Sequence, residues 1–311
     1  MRSRIALRVA TTLLVIFGAM GLLFLLTVLV PGDPASTLLG PEASPEAARR
    51  FVIEMGLDQP VPVRFARFVA HLAMGDLGTD ILSGRSVVSV IRAVLPYTLV
   101  LTATGMALSI LVGVPLGIFA ALHPGSVADS ALAGLSVALI AIPNFVIAIL
   151  LLLVFSVWLD WLPVLGAGNT TDIADQARRL ILPTVALAVG WIGFLARLVR
   201  TAMLEVLAEP YIRTARAYGL SGRTIILKYA LKNALIAPLA VLGLGVGRLL
   251  GGAVLIEIVF GRPGLGRLVL DAINARNYPV LQGAVLVVVV LFVLTNLVVD
   301  LLYAAIDPRL R

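Results

Sequence analysis

Six stretches of the chain are apolar and long enough to cross a bilayer: residues 9–30, 95–122, 131–159, 180–203, 234–260 and 280–305. Each meets the requirement of about 20 mostly apolar residues for a spanning helix. The pattern predicts an all-α membrane protein with six transmembrane helices. Two long polar stretches interrupt it, 31–94 and 204–233. The first has helical periodicity over Pro45–Gly56 and over Val63–Met74, where Phe65, Phe68, Val69 and Leu72 recur on one face. It is too long for a bare loop and is expected to form a small subdomain after the first helix. The predicted organisation is an N-terminal transmembrane helix (1–30), a subdomain (31–94), a five-helix core (95–305) carrying the loop 204–233, and a short tail (306–311).

Composition agrees with this pattern. Of the 311 residues, 60% are hydrophobic and 13% charged, against about 45–50% and about 25% in soluble chains. The absence of cysteine excludes disulfides, Cys-ligated metals and thiol nucleophiles. A net charge of +7 would suit nucleic acid, but the charges are not gathered on a soluble domain. Asymmetric loop charge in a membrane protein gives the same sum, so no nucleic-acid partner is expected. The first apolar run, led by Arg2, Arg4 and Arg8, is too long for a signal-peptide core and ends in Val30-Pro31-Gly32-Asp33 instead of a small-residue cleavage site. With both termini in the cytoplasm, the inner segments hold twelve basic and four acidic residues, and the outer segments eleven of each. The short loops decide the orientation. The stretch 204–233 is then cytoplasmic and 31–94 lies outside.

Reactive groups are scarce. No phosphate-cradling G-x-x-x-x-G-K-[ST], HExxH or GxSxG motif occurs. His71 and His123 fall on opposite sides of the membrane in this topology. Gly243-Leu244-Gly245-Val246-Gly247 lies inside an apolar span, where small residues serve close helix packing; Gly105, Gly113 and Gly117 read the same way. Arg248 is a charge near the middle of the fifth span. Such a residue marks a wet path and could meet a substrate carboxylate; a structural pairing with Glu257 or a backbone carbonyl is the other reading. Asp300, near the end of the sixth span, can reach water. No chain of buried carboxylates suggests a proton relay, which argues against an ion-coupled carrier. A non-transporting membrane scaffold is the reading from another class. Any transport must draw its energy from another subunit.

The loop 204–233 then becomes the centre of interest. Pro210 suits the first turn of a short helix, and Gly219 suits the position that ends it. A second helix from Ser221 carries Arg223, Lys228 and Lys232 towards the fifth span. Small residues among arginines permit close approach by another protein; a basic loop held by lipid phosphates is the alternative.

The run Tyr211-Ile212-Arg213-Thr214-Ala215-Arg216-Ala217-Tyr218-Gly219-Leu220-Ser221, followed by Leu231-Lys232-Asn233-Ala234-Leu235-Ile236-Ala237-Pro238, resembles the coupling loop of an ATP-binding cassette (ABC) importer permease of the dipeptide/oligopeptide/nickel class. Arg213-Thr214-Ala215 stands where the generic importer pattern has Glu-Ala-Ala, a departure typical of that class. Pro31-Gly32-Asp33-Pro34, Gly56-Leu57-Asp58-Gln59-Pro60, Gly75-Asp76-Leu77-Gly78, Pro263-Gly264-Leu265-Gly266, Asn277-Tyr278-Pro279 and the tail Asn296–Arg309 are similar to the class as well. The resemblance implies a bacterial inner-membrane subunit paired with a second permease. It implies two cytoplasmic ATPases that bind ATP and Mg, with no cofactor on this chain. It also implies an extracytoplasmic binding protein that contacts 31–94 and delivers peptides; nickel chelates, glutathione, opines or sugars are the other cargoes of the class. The ATPase contact set it implies is Tyr211, Arg213, Thr214, Ala215, Arg216, Gly219 and Leu220. For the outer turn, Pro263, Gly264 and Gly266 are expected at a gate, or in a plain turn rich in helix breakers.

Overall fold

The computed structural model describes residues 2–29, 44–54, 56, 58–169 and 171–306. The Pro31–Pro34 motif and the tail from 307 lie outside these residues. Among the described residues the chain is helical, with one isolated bridge between Thr79 and Ser86. The helices are α1 (Arg2–Leu29), α2 (Pro45–Glu54), α3 (Val61–Ala73), α4 (Val87–Leu122), α5 (Val127–Ala141), α6 (Asn144–Leu151), α7 (Ile173–Ala208), α8 (Pro210–Ala217), α9 (Gly222–Thr224), α10 (Leu231–Ala234), α11 (Ile236–Val259), α12 (Leu265–Asn274) and α13 (Tyr278–Ile306). Two π-helical segments, Leu152–Trp158 and Ile225–Ala230, extend α6 and join α9 to α10.

Helices α4, α7 and α11 and the Tyr278–Val299 part of α13 are long and apolar enough to cross a membrane. The predicted span 131–159 is not one straight helix. It is α5 followed by α6 and its π extension, bent by 99°. The cause is Pro143, which lacks an N–H and disfavours helical backbone in the residue before it. Ile142 is accordingly extended, with ψ 124°. Counted as one span, this pair makes a fifth; the shorter apolar stretch found in α1 is Leu14–Leu25. Within the polar stretch 31–94, the two helices expected from periodicity form as α2 and α3.

The chain divides into two compact units, 1–96 with 263–293 and 97–262 with 294–311. In the first, Val87, Ile91, Leu265, Ala272 and Val280 form a buried core. Phe24 of α1 meets Phe65 and Phe68 of α3 at ring-centroid distances of 5.2 and 6.1 Å, which explains the aromatic stripe seen in the sequence. The Asn277 amide donates to Asp80, whose carboxylate also accepts from the Ser83 hydroxyl and the Leu82 N–H.

In the second unit, Leu101, Leu187, Leu195, Leu249 and Ile256 centre the main core. The glycines of α4 let it lie close to α7. A Cβ at Gly117 would stand 2.5 Å from the Ala196 carbonyl oxygen and 2.8 Å from Val199 Cβ, and one at Gly113 3.0 Å from the Ile192 carbonyl oxygen. Gly243 approaches Asn296 and Val299, and Gly245 approaches Trp191. These contacts are the small-residue packing expected of the glycine-rich run.

Candidate functional site

The helix–bend–helix of 209–234 is built from local signals. Asp172 caps the far end of α7, which ends at Ala208. Glu209 is extended (ψ 145°), and Pro210 opens α8 within its first turn. The end of α8 is a Schellman motif. Gly219 takes φ +74°, its N–H donates to the Arg216 carbonyl at 2.9 Å, and the Leu220 N–H donates to the Ala215 carbonyl at 3.2 Å. Ser221 restarts the helix by accepting from the Thr224 N–H at 3.3 Å. The chain then runs through the π segment and α10, with a single turn residue at Leu235, into α11.

One face of α8 is anchored. Ile212 is fully buried and Ala215 nearly so, against Val199, Ala202 and Met203 of α7 and against Ile225, Ala230 and Ala234. Burying an Ile side chain stabilises by roughly 1.5–3 kcal/mol, so this contact fixes α8 to the base of α7. A second tether crosses the bend: Asn233 Nδ2 donates to the Tyr211 hydroxyl at 2.8 Å. The remaining contact candidates, Tyr211, Arg213, Thr214, Arg216, Gly219 and Leu220, are all exposed. Ala215, the remaining candidate, is buried against its own chain, because positions 212 and 215 share the helix face that meets α7. Tyr218 was missed. At 83% exposure it is an uncovered aromatic at the bend, and its place in the quoted motif was the available signal. A cleft of about 300 Å³ opens beside the loop, lined by Leu204, Leu207, Arg216, Gly222, Ile225 and Ile226 among others.

Beneath the loop, Arg200 of α7 holds Asp129 of α5 in a two-pronged pair. Its Nε donates to Oδ1, and its Nη2 donates to Oδ2 at 2.7 Å. Asp129 also accepts from the Gly125 N–H at 3.0 Å. Paired donors of this kind fix geometry as well as charge.

The other sequence candidates lie elsewhere. Arg248, mid-way along α11, is exposed, and among the described residues no hydrogen bond or ion pair reaches it. The alternative, a pairing with Glu257, is not formed: Glu257 is 1% exposed and accepts from Thr98 at 2.6 Å. This acid stands out within the apolar run 253–260, but its pairing with Thr98 was not foreseen. Gly261 (φ +57°) closes α11 in a second Schellman motif, with the Arg262 N–H donating to the Glu257 carbonyl at 2.8 Å. Arg262 is buried, and its Nη1 donates to the Arg179 carbonyl at 3.3 Å. Burial pushes its pKa down, opposed by the nearby Glu257 carboxylate and Tyr97. Pro263, Gly264 and Gly266 fall in the other unit, where Gly264 and Gly266 are buried at the start of α12. The turn 261–264 carries the chain from one unit to the next. No group of three or more metal-ligating side chains occurs among the described residues.

A helical, multi-pass membrane protein with a rooted helix–bend–helix between two of its long apolar helices is the class this geometry defines. Residues 113–311 match the family model described as "Binding-protein-dependent transport system inner membrane component", and residues 1–102 match the model of that family's N-terminal part. The chain is 42% identical to the probable peptide ABC transporter permease protein y4tP of Sinorhizobium fredii, over 93% of each chain. It is also 42% identical to the glutathione transport system permease protein GsiC of Salmonella paratyphi A, over 93% of this chain and 92% of that one. Its fold is similar to that of a chain of the inward-facing MetNI methionine ABC transporter, with a TM-score of 0.59 at 20% identity, covering 71% of this chain and 97% of that one. The chain therefore belongs to the binding-protein-dependent transport system inner membrane components, the permeases of ABC importers, as its motifs implied.

Proposed function

We propose that this chain is one of two six-helix permease subunits of an inner-membrane importer for di- or oligopeptides. An extracytoplasmic binding protein delivers the cargo, and two cytoplasmic ATPases supply the energy. Glutathione, the cargo named for one relative, is itself a tripeptide and falls within the same chemical class. Both termini and the loop 204–233 face the cytoplasm in this reading.

The observation that carries the reading is the two-faced α8. Ile212 and Ala215 anchor it to the membrane-spanning part of its own unit, while Arg213, Thr214, Arg216 and Tyr218 stand exposed. An element rooted on one side and bare on the other can receive a displacement and pass it on. ATPase closure pushes α8, and the short helical segments from Ser221 carry the motion into α11. This is coupling through a packed element that both partners bias.

The test is a pull-down of the tagged chain from detergent-solubilised membranes, with ATP hydrolysis assayed on the eluate. Recovery of a second permease and of ATPase activity that binding protein and peptide stimulate is the expected result. A lone chain without ATPase activity would overturn the reading and favour a scaffold.

A further inference from the structure

Arg248 occupies a place that its own chain does not explain. It lies twelve residues from the start of the 24-residue helix α11 and eleven from its end, about 18 Å and about 16 Å along the axis. The side chain cannot reach the headgroups at either end. A charge at this depth is tolerated where it meets a partner or a water-filled cavity. Glu257, nine residues on, lies on the opposite face of α11 and is held by Thr98.

The face that Arg248 shares is regular. Ala237, Ala240, Leu244, Arg248, Gly251 and Leu255 are exposed at spacings of three and four, which is one stripe of a helix. The stripe turns away from the rest of its unit, and a Cβ at Gly251 would meet nothing within 4 Å.

A second observation comes from another element. The α5–α6 break exposes Ala141, Ile142 and Pro143 half-way along an apolar span. Irregular backbone at such depth must face protein or a wet cavity. The first residue after the break, Asn144, lies against α11: a Cβ at Gly252 would be 3.3 Å from its Nδ2. Gly252 is one turn from Arg248. No hydrogen bond reaches the Asn144 side chain among the described residues. A free guanidinium and a free amide thus stand one turn apart, half-way along their spans and beside a break that requires polar surroundings.

We propose that Arg248 and Asn144 form a mid-membrane recognition point for the carboxylate of the transported substrate. The guanidinium fork matches a carboxylate with two donors, and the Asn amide adds another. The open stripe around Arg248 leaves room for the chain that bears it. The substrate class is therefore peptide-like molecules with a free carboxylate. This proposal rests on the importer reading above.

The absence of cysteine in the wild-type chain makes the test direct. In the assembled importer, Leu244→Cys places one thiol on the stripe, one turn from Arg248. We expect an anionic sulfonate thiosulfonate reagent to label it about tenfold faster than a cationic trimethylammonium one. Arg248→Gln reduces that ratio to about one, and Arg248→Lys, which keeps the charge and guards against a folding defect, retains it. A tripeptide free acid slows the labelling during turnover, and its C-terminal amide does not. No labelling, or labelling without charge preference, overturns the site. It would place the stripe against lipid, or against an acidic side chain of the second permease. Uptake of the tripeptide by the same vesicles separates the remaining failures. Uptake without protection overturns this proposal, whereas no uptake overturns the peptide reading beneath it.

Discussion

Gly219→Val is the substitution that bears most directly on how α8 is held. Gly219 sits at φ +74°, a region that costs a residue with a Cβ about 1–2 kcal/mol and a β-branched one more. Two backbone hydrogen bonds depend on that conformation, those from Gly219 to Arg216 and from Leu220 to Ala215. Each is worth about 0.5–1.5 kcal/mol. A valine either keeps the bend under strain or gives up both bonds and lets α8 swing. Either way the cost is about 1–3 kcal/mol, local to the loop. There is open space around the site: a Cβ there meets nothing within 4 Å. The effect is therefore conformational and not a clash. Asn tolerates a positive φ far better, so Gly219→Asn should keep most of the function. The assay is uptake together with ATPase stimulation by binding protein and peptide, in vesicles holding equal amounts of assembled complex. Val should lose the stimulation, Ala part of it, and Asn little. Equal stimulation in Val and Asn would refute the argument that this bend transmits the motion.

Three further outcomes follow from the packing. Gly117→Ala should destabilise the purified protein by about 1–3 kcal/mol in thermal unfolding, because its Cβ would stand 2.5 Å from the Ala196 carbonyl oxygen. Asp129→Asn and Arg200→Gln should each lower the unfolding temperature, and the double variant should lose no more than the worse single, since they break one shared pair. Burial pushes the Asp80 carboxyl up, but donors from Ser83, Leu82 and Asn277 outweigh it and hold the pKa below 3.8. That stabilisation is present above 3.8 and lost as pH falls through the folded-state value; Asp80→Asn should flatten this acid limb of a stability–pH curve.

The parts legible in the sequence were those written in local rules. Pro210 and Gly219 bracket α8 because a helix start tolerates a missing N–H and a helix end needs a positive φ. The stripe of Phe65 and Phe68 marked α3, and the run of glycines from 243 marked close packing. What was not legible depended on context. Pro143 breaks its span, while Pro183 sits inside α7 without ending it; the same residue type gives both outcomes. Ala215 looked like a small contact residue, and only the position of α7 shows that it faces inward. Glu257 was visible as an acid in an apolar run, but its partner, Thr98, is distant in sequence and only the fold brings the two together. Arg248 was noticed from its depth, but the stripe it shares and its nearness to Asn144 needed the structure.

The most direct measurement of the central claim uses single cysteines on α8 carrying a photoreactive thiol-linked probe in the assembled importer. Arg213→Cys and Ala217→Cys lie on the exposed face, and Ile212→Cys lies on the buried one. The account predicts adducts to an ATPase subunit from 213 and 217, and adducts only within the permease from 212. Adducts to lipid alone from 213 and 217, or equal ATPase adducts from all three, would contradict it.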